Sequence, residues 1–313
     1  MMGQAQPDKS RIHDPGFGEE IGGKSRRLIN KDGSFNVRRR GGGVGMRNVY
    51  QYLLDLSNLK FFLLILIGYV VLSLLFALLY FSIGSNHLIG VHGETLMGSF
   101  MDCFYFSTQT FTTVGYGAIA PSGAATSAVA SFEAFTGLIF FAIATGLLFA
   151  RFSKPRAILR YSANAVIAPY EDGEALMFRF ANARNNVLME IHARTIVVMR
   201  SATDDALHRR YFGLKLEIDS ITFLPLSWTL VHKIDDSSPM KGLTLSEMKD
   251  LDFEILILIT AFDDTFHQTI HSRHSYVADE MVWGAKFIRA FSPNSRGAIT
   301  LDLDALDEIE MIK

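Results

Sequence analysis

The strongest constraint on this chain is a long segment without positive charge. No lysine or arginine lies between Lys60 and Arg151, although the 313-residue chain contains 30 of them. Within that segment, the run 61–83 carries no charged residue at all. As a helix rising ~1.5 Å per residue, this run would be roughly 34 Å long, enough to cross a hydrocarbon core of ~30 Å with some tilt. The run therefore predicts a membrane-spanning helix.

A second apolar stretch, residues 122–152, contains Glu133 and predicts a second span. Positively charged residues lie before the first span and after the second, whereas residues 84–121, between the spans, include none. The flanking cations are Arg38, Arg39, Arg40, Arg47 and Lys60 before the first span and Arg151, Lys154, Arg156 and Arg160 after the second. By the positive-inside rule we expect both termini in the cytoplasm, with the spans in the inner (plasma) membrane of a cell. Two buried helices of a soluble protein are the alternative, but such helices rarely run this long without a charge.

Composition fits a chain that lies partly in lipid and partly in water. Its mean hydropathy is +0.20 and its formal net charge is −2, whereas a nucleic-acid binder would normally be distinctly basic.

The single cysteine, Cys103, excludes intrachain disulfides and a cysteine zinc cluster. No nucleophile, base and orienting group form a recognisable set, so we expect no enzyme and no cofactor. The polar N-terminus lacks the apolar segment of a cleaved signal peptide, so we expect no leader there.

The residues just before the first span have the spacing of an amphipathic helix. Val49, Tyr52, Leu53 and Leu56 recur at helical intervals. They predict an interfacial helix at 47–59 that lies along the inner membrane surface, between an N-terminal cytoplasmic segment at 1–46 and an outer span at 60–84. A cytoplasmic extension of the first span is the alternative that this spacing leaves open.

The segment Thr113-Val114-Gly115-Tyr116-Gly117, between the spans, matches the filter sequence of potassium channels. Oxygens must replace the water shell of K⁺, and four copies of such a loop can supply them as backbone carbonyls. Gly115 and Gly117 permit the backbone conformations that carbonyls directed at one axis require. We expect K⁺ at Thr113, Val114, Gly115 and Tyr116, with the Thr113 hydroxyl completing the innermost cage and the Val114 and Tyr116 side chains packed behind the loop.

The stretch before this motif, residues 98–110, is apolar, aromatic and too short to span a membrane. It predicts a re-entrant pore helix, so that 98–121 form pore helix and filter and 122–153 form the inner span. Glu133 is an ionisable group inside that span, which points to a functional role. It either supports the filter from behind through hydrogen bonds or faces the cavity and attracts cations. Its position near the outer end of the helix favours support of the filter.

The pattern changes to β-rich segments after residue 155. Residues 176–180 and 214–218 alternate or are rich in β-formers, and 255–259 have the pattern of a fully buried strand. Short strands at intervals of roughly ten residues predict a β-sandwich over 154–313. No G-x-G-x-x-G follows a strand, so we do not expect a nucleotide-binding module.

This half resembles the inward-rectifier potassium channels, in particular their prokaryotic members. The matching segments are residues 164–168, 226–239, 253–255 and 276–284, with 28–37 upstream. The resemblance implies an α+β membrane protein with two transmembrane helices, a re-entrant pore helix with its filter, and an immunoglobulin-like cytoplasmic β-sandwich. It also implies a homotetramer, in which each chain has three identical partners and K⁺ is conducted passively.

The resemblance assigns roles along the inner span. Phe149 matches the bulky position that closes the bundle of inner helices, and movement of the cytoplasmic domain is expected to gate it. Phe141 and Thr145 are expected to line the pore. Because strongly rectifying relatives carry an acidic residue or Asn at the position of Phe141, weak rectification is expected here.

Two further sets of residues follow from the same resemblance. Acidic residues expected to line the cytoplasmic vestibule are Asp264 and, less directly, Asp204 or Asp205. An ordinary solvated turn is the alternative for each of them. Cations expected to contact anionic lipid headgroups are Lys60, Lys154, Arg156 and Arg160. The positive-inside rule alone would also place cations there, and a non-conducting subunit with the same fold is the alternative function.

Overall fold

The computed structural model describes residues 10–18, 27–37, 40, 46–153, 158–200, 208–293 and 297–312. The chain divides into two units, one formed by Gly41–Lys154 and the other by Met1–Arg40 together with Pro155–Lys313. Six residues singled out by sequence lie outside the described residues, and they are Arg38, Arg39, Lys154, Arg156, Asp204 and Asp205.

The described helices and strands fall into these two units. The helices are α1 (Met46–Asp55), α2 (Asn58–Ile83), α3 (Leu96–Phe111), α4 (Ala124–Phe152) and α5 (Leu245–Asp250). The strands are β1 (Arg11–Ile12), β2 (Leu88–Ile89), β3 (Ala120–Pro121), β4 (Leu159–Tyr161), β5 (Ala165–Tyr170), β6 (Gly173–Asn182), β7 (Leu188–Arg200), β8 (Arg209–Leu214), β9 (Ser220–Phe223), β10 (Ser227–Lys233), β11 (Glu254–Asp263), β12 (Gln268–Val277), β13 (Met281–Trp283), β14 (Ala285–Phe287), β15 (Phe291–Pro293), β16 (Ile299–Leu301) and β17 (Ile309–Met311).

Helices α2 and α4 are long and apolar enough to cross a membrane. Only a few of their side chains are buried within the chain, and large residues such as Leu66 and Leu138 remain more than half exposed. A helix that is apolar on all sides and still exposed fits a lipid or subunit environment better than the core of a soluble protein. Ser57, in extended conformation, separates α1 from α2, so the helix predicted at 47–59 ends in the structure at Asp55.

The second unit contains a β-sandwich, as the sequence predicts. One sheet has the order β1-β8-β7-β11-β12 with β9 beside β7, and the other has the order β10-β6-β5-β13 with β4 beside β6. Neighbouring strands are antiparallel except for β5 and β13. Phe178 and Leu230 from one sheet pack in the same core as Val197 and Ile257 from the other. These inward-facing side chains explain the alternating pattern of the sequence.

An N-terminal segment, residues 27–37, is part of this second unit rather than a separate region. Leu28 and Ile29 are buried in one cluster with Leu256 of β11. The Glu254 carboxylate accepts hydrogen bonds from the backbone N–H groups of Leu28, at 2.7 Å, and Ile29, at 3.2 Å. Strand β11 is therefore buried on both faces, which explains its uninterrupted apolar run.

A buried arginine attaches the C-terminal segment to the sandwich. Arg179 of β6 is 3% exposed, and burial lowers its pKa. Its guanidinium donates hydrogen bonds to the backbone carbonyls of Leu306 at 2.9 Å, Ile288 at 2.5 Å, Ala305 at 2.5 Å and Glu308 at 3.3 Å. The Phe287 ring lies 4.5 Å from the guanidinium carbon. One side chain thus provides buried donors to carbonyls of two separate stretches of chain.

We predict that Arg179→Met releases the C-terminal segment while leaving the sandwich folded. Several carbonyls would lose the guanidinium as a buried donor, at about 3 kcal/mol in total, which corresponds to roughly hundredfold faster amide exchange of that segment. Hydrogen–deuterium exchange of residues 297–312 measures the effect. Arg160→Gln is the control, because Arg160 binds Asp304 and Asp307 of the same segment through exposed ion pairs that contribute little. Equal effects of the two variants would contradict the prediction.

Candidate ion-conduction site

The loop after α3 is attached to the last turn of that helix by backbone hydrogen bonds. The Thr113 N–H donates to the Thr110 carbonyl and the Val114 N–H to the Gln109 carbonyl, each at 3.0 Å. Helix α3 begins at the other end with Thr95, whose hydroxyl accepts a hydrogen bond from the Gly98 N–H at 3.1 Å. The carbonyl end of α3, with its partial negative charge, therefore leads directly into the loop.

The backbone of this loop alternates between two conformations. Thr113, Gly115 and Gly117 have φ of 58°, 55° and 78°, whereas Val114 and Tyr116 do not have positive φ. Alternation of left-handed and ordinary residues can turn successive carbonyls to the same side, whereas uniform extended residues would point them to opposite sides. Thr113 is β-branched, so its positive φ is strained by about 1–3 kcal/mol. Strain of this kind is typical of a functional loop.

The loop has little cover within one chain. Val114 is 52% exposed and Tyr116 is 78% exposed, although the sequence predicted that both side chains pack behind the loop. Both need partners from outside this chain to become buried.

Glu133 lies at the meeting point of three helices. It is fully buried in α4, where one carboxylate oxygen accepts a hydrogen bond from the Tyr80 hydroxyl of α2 at 2.6 Å. The other lies 2.5 Å from the Ser107 hydroxyl of α3, which is also 2.8 Å from the Ser73 carbonyl of α2. The sequence singled out Glu133 but not Tyr80 or Ser107. The available signal was that each of these two is a residue with a hydroxyl group in a largely apolar helix, where that group needs a hydrogen-bond partner.

A second contact joins α4 to the end of α3. A Cβ added to Gly137 would lie 2.0 Å from the Phe111 carbonyl oxygen, so the two backbones meet where only glycine fits. The Phe111 ring packs near the rings of Phe140 and Phe141, with centroids 5.5 and 6.1 Å away. Phe141, which the sequence predicted to line the pore, is 41% exposed and also belongs to this aromatic cluster.

Three residues predicted for the conduction path share one face of α4. Phe141, Thr145 and Phe149 are spaced four residues apart, which places them on one side of a helix. All three are exposed within the chain, Phe149 by 72%. This face is free to meet other copies of the chain.

The charged residues to which the resemblance assigns a role differ from one another in their surroundings. Lys60 is exposed near the start of α2, and Asp264 is exposed in the turn that follows β11. Arg160 is engaged by two carboxylates, Asp304 at 2.6 Å and Asp307 at 3.3 Å. Its charge is therefore already balanced within the second unit.

Comparison with known proteins matches both parts of the chain. Residues 159–313 match the family described as inward rectifier potassium channel C-terminal domain, and residues 61–154 match the family described as ion channel. The inward rectifier potassium channel Kirbac3.1 of Paramagnetospirillum magnetotacticum is 35% identical over 286 residues, covering 90% of this chain and 95% of that protein.

Mammalian proteins are also similar. ATP-sensitive inward rectifier potassium channel 14 of Homo sapiens and that of Mus musculus are each 28% identical, over 85% and 83% of this chain. The chain spans about two thirds of their length, 66% and 65%. A solved structure of OgpA from Akkermansia muciniphila covers 40% of this chain and 29% of its own at 13% identity, and its TM-score of 0.19 is too low to indicate a shared fold.

We predict that Gly137→Ala disturbs the loop at a distance. The new methyl group would push the Phe111 carbonyl away by about 1 Å, at a cost of roughly 1–3 kcal/mol or more. The hydrogen bonds of Thr113 and Val114 to α3 should weaken, and their amide hydrogens should exchange faster. Gly146→Ala, in the same helix with open space around its Cβ, is the control and should leave this exchange unchanged. Unchanged exchange in Gly137→Ala would show that the close approach does not position the loop.

Proposed function

The chain belongs to the inward-rectifier potassium channel family, and from that premise we propose that four copies surround a pore whose selectivity filter is the backbone of residues 113–117. As a member of this family it is a potassium channel of the inward-rectifier type, with K⁺ as the permeant ion. The proposal assigns the filter to particular residues and the pore to a homotetramer.

The alternating φ of residues 113, 115 and 117 is the observation that carries this proposal. A strained loop whose carbonyls can all face one side has a use if those carbonyls coordinate an ion. One loop supplies a quarter of each coordination shell, so a fourfold arrangement is required. The exposure of Val114 and Tyr116 in a single chain agrees with loops that are covered on assembly.

The transmembrane unit also offers the charge and support that such a filter needs. Helix α3 ends at the loop, and the negative end of its dipole favours a cation there. We assign Glu133 the role of filter support, because its carboxylate connects α3 to α2 and α4 through Ser107 and Tyr80. Its complete burial argues against the alternative in which it faces the cavity.

The exposed face of α4 supports a gate below the filter. Four copies of Phe149 would form an apolar constriction, which closes a pore by excluding water. Phe141 and Thr145 would line the path above it. Neither carries a charge that could hold Mg²⁺ or a polyamine, so we propose weak rectification. We further propose that movement of the β-sandwich domain controls this gate.

The remaining assignments rest on charge. We propose that both termini are cytoplasmic and that the channel lies in the inner membrane of a cell, because positive residues flank the spans on that side. Asp264, with Asp204 and Asp205, is proposed to attract cations to a cytoplasmic vestibule. Anionic lipid is proposed to bind Lys60, Lys154 and Arg156, and Arg160 would join them only by leaving its two carboxylate partners.

We predict that the tetramer in liposomes takes up radioactive Rb⁺ when K⁺ is trapped inside and not when Na⁺ is, and that Ba²⁺ blocks this uptake. Gly115→Ala should abolish uptake, because four alanines would be held at a φ near 55°. Gly173→Ala, in a part of β6 where the Cβ meets open space, should have no effect. Both variants must elute as the native assembly during size-exclusion chromatography.

Three outcomes would count against this proposal. Equal uptake against K⁺ and Na⁺ would exclude selectivity, and full uptake by Gly115→Ala would exclude this loop as the filter. No uptake by the native protein or by Phe149→Ala would favour the non-conducting subunit.

We predict that Glu133→Gln retains most uptake and that Glu133→Ala does not. The Gln side chain can still accept from Tyr80 and can donate to Ser107, whose hydroxyl then donates to the Ser73 carbonyl. Alanine leaves two buried hydroxyl groups without this partner, at about 1–3 kcal/mol each. The readouts are Rb⁺ uptake and the temperature at which the tetramer dissociates. Equal loss in both variants would mean that the charge matters, as in the alternative where Glu133 attracts cations.

A further inference from the structure

Arg151, in the last turn of α4, binds the junction between α1 and α2. Its guanidinium donates hydrogen bonds to the Leu53 carbonyl at 2.7 Å, the Leu54 carbonyl at 3.2 Å, the Leu56 carbonyl at 2.6 Å and the Asn58 side-chain oxygen at 2.8 Å. The guanidinium carbon also lies 4.6 Å from the centre of the Phe61 ring. The residues contacted, 53–61, are called the α1–α2 junction below.

The chemistry of both partners explains this contact. The last carbonyls of a helix have no partner within it and carry the negative end of the helix dipole. Helix α1 ends at Asp55, so the carbonyls of Leu53, Leu54 and Leu56 belong to this group. Arginine has five N–H donors in a planar fork, and four hydrogen bonds use most of them. A lysine ammonium at the same position could not reach these acceptors together.

We infer that Arg151 is a positioning residue for the gate, because it fixes the end of α4 to the α1–α2 junction. Arg151 lies two residues after Phe149, on the same final turns of α4. Any displacement of the junction must therefore either break these contacts or move the segment that carries Phe149. The inference rests on the proposed function, since it assumes that Phe149 forms the gate.

Whether loss of the Arg151 contacts should raise or lower uptake follows from the exposed surface of Phe149. Apolar rings that meet water associate with one another, so four Phe149 side chains favour a closed constriction. The attachment of α4 to the junction opposes that association. Without the attachment the closed state should dominate, and uptake should fall.

An alternative role for Arg151 is binding of an anionic headgroup, as for any cation near the inner membrane surface. The geometry argues against it, because Arg151 is half-buried and its donors are engaged by protein oxygens. Lys60 provides the comparison, since it lies in the first turn of α2 and is exposed. A headgroup role requires only charge, whereas the positioning role requires the shape of arginine.

The test compares Arg151→Lys, Arg151→Gln and Lys60→Gln as full-length tetramers in liposomes. Rb⁺ uptake is measured in neutral phosphatidylcholine and with added phosphatidylglycerol. We expect both Arg151 variants to lose uptake by at least about fivefold in both lipids, because lysine retains the charge but not the fork. Lys60→Gln, at a cation proposed to bind headgroups, should lower the uptake gained on adding phosphatidylglycerol. Native uptake by Arg151→Lys, or an Arg151→Gln effect confined to the anionic lipid, would overturn the inference.

A second variant separates loss of coupling from failure to fold. Phe149→Ala combined with Arg151→Gln should restore uptake, because the constriction that closes by default is removed. A double variant that assembles but stays inactive would overturn the inference. If Phe149→Ala alone behaves like the native channel, the proposed gate fails instead.

The attachment itself can be measured independently of conduction. Gln51 is exposed on α1 and the native Cys103 is buried, so Gln51→Cys can be spin-labelled selectively and distances between the four copies determined. We expect Arg151→Gln and Arg151→Lys to broaden these distances and Gly173→Ala, where the added Cβ meets open space, to leave them unchanged. Unchanged distances in both Arg151 variants would show that Arg151 does not hold the junction.

Discussion

The proposed filter, residues 113–117, would coordinate K⁺ through its own backbone and must therefore leave carbonyl groups without protein partners at membrane depth, where such groups are costly. The transmembrane unit holds the start of that loop and the helix that precedes it. The N–H groups of Thr113 and Val114 bond to α3, and α3 is held to α2 and α4 through Ser107, Glu133 and Tyr80. Gly137 brings α4 into direct contact with the end of α3. The hydrogen bonds at the start of the loop oppose relaxation of the strain at Thr113.

Charged side chains that bind backbone groups of distant segments recur through the molecule. Glu254 holds the N–H groups of Leu28 and Ile29, and Arg179 holds four carbonyls of the C-terminal region. Arg151 does the same for the end of α1. In each case one side chain provides hydrogen bonds to backbone groups of another segment, which helps to keep those groups paired. These residues connect parts of the chain that are far apart in sequence, and each is therefore placed where a change in one segment would affect another.

Much of the fold could be predicted because its signals are local. The uncharged run 61–83, the glycines at 115 and 117 and the alternating strands each encode their own structure. The spacing of the strands predicted a sandwich, and the family resemblance added that it is immunoglobulin-like. The partners of Glu133 could not be predicted, since Tyr80 is 53 residues away and Ser107 is 26 residues away. The engagement of Arg160 by Asp304 and Asp307 was missed for the same reason, and its assignment to lipid followed from the family resemblance.

The sequence by itself determined what this protein conducts and where its membrane spans lie, because filter chemistry and hydrophobic length are properties of short, continuous segments. The tertiary structure decided which side chains bind Glu133, which face of α4 stays exposed, and that residues 27–37 belong to the β-sandwich unit. It also decided that Arg151 binds carbonyls rather than facing water. Those outcomes depend on hydrogen bonds and close contacts between segments that are distant in sequence. The spacing of residues along the chain does not predict the geometry of such contacts.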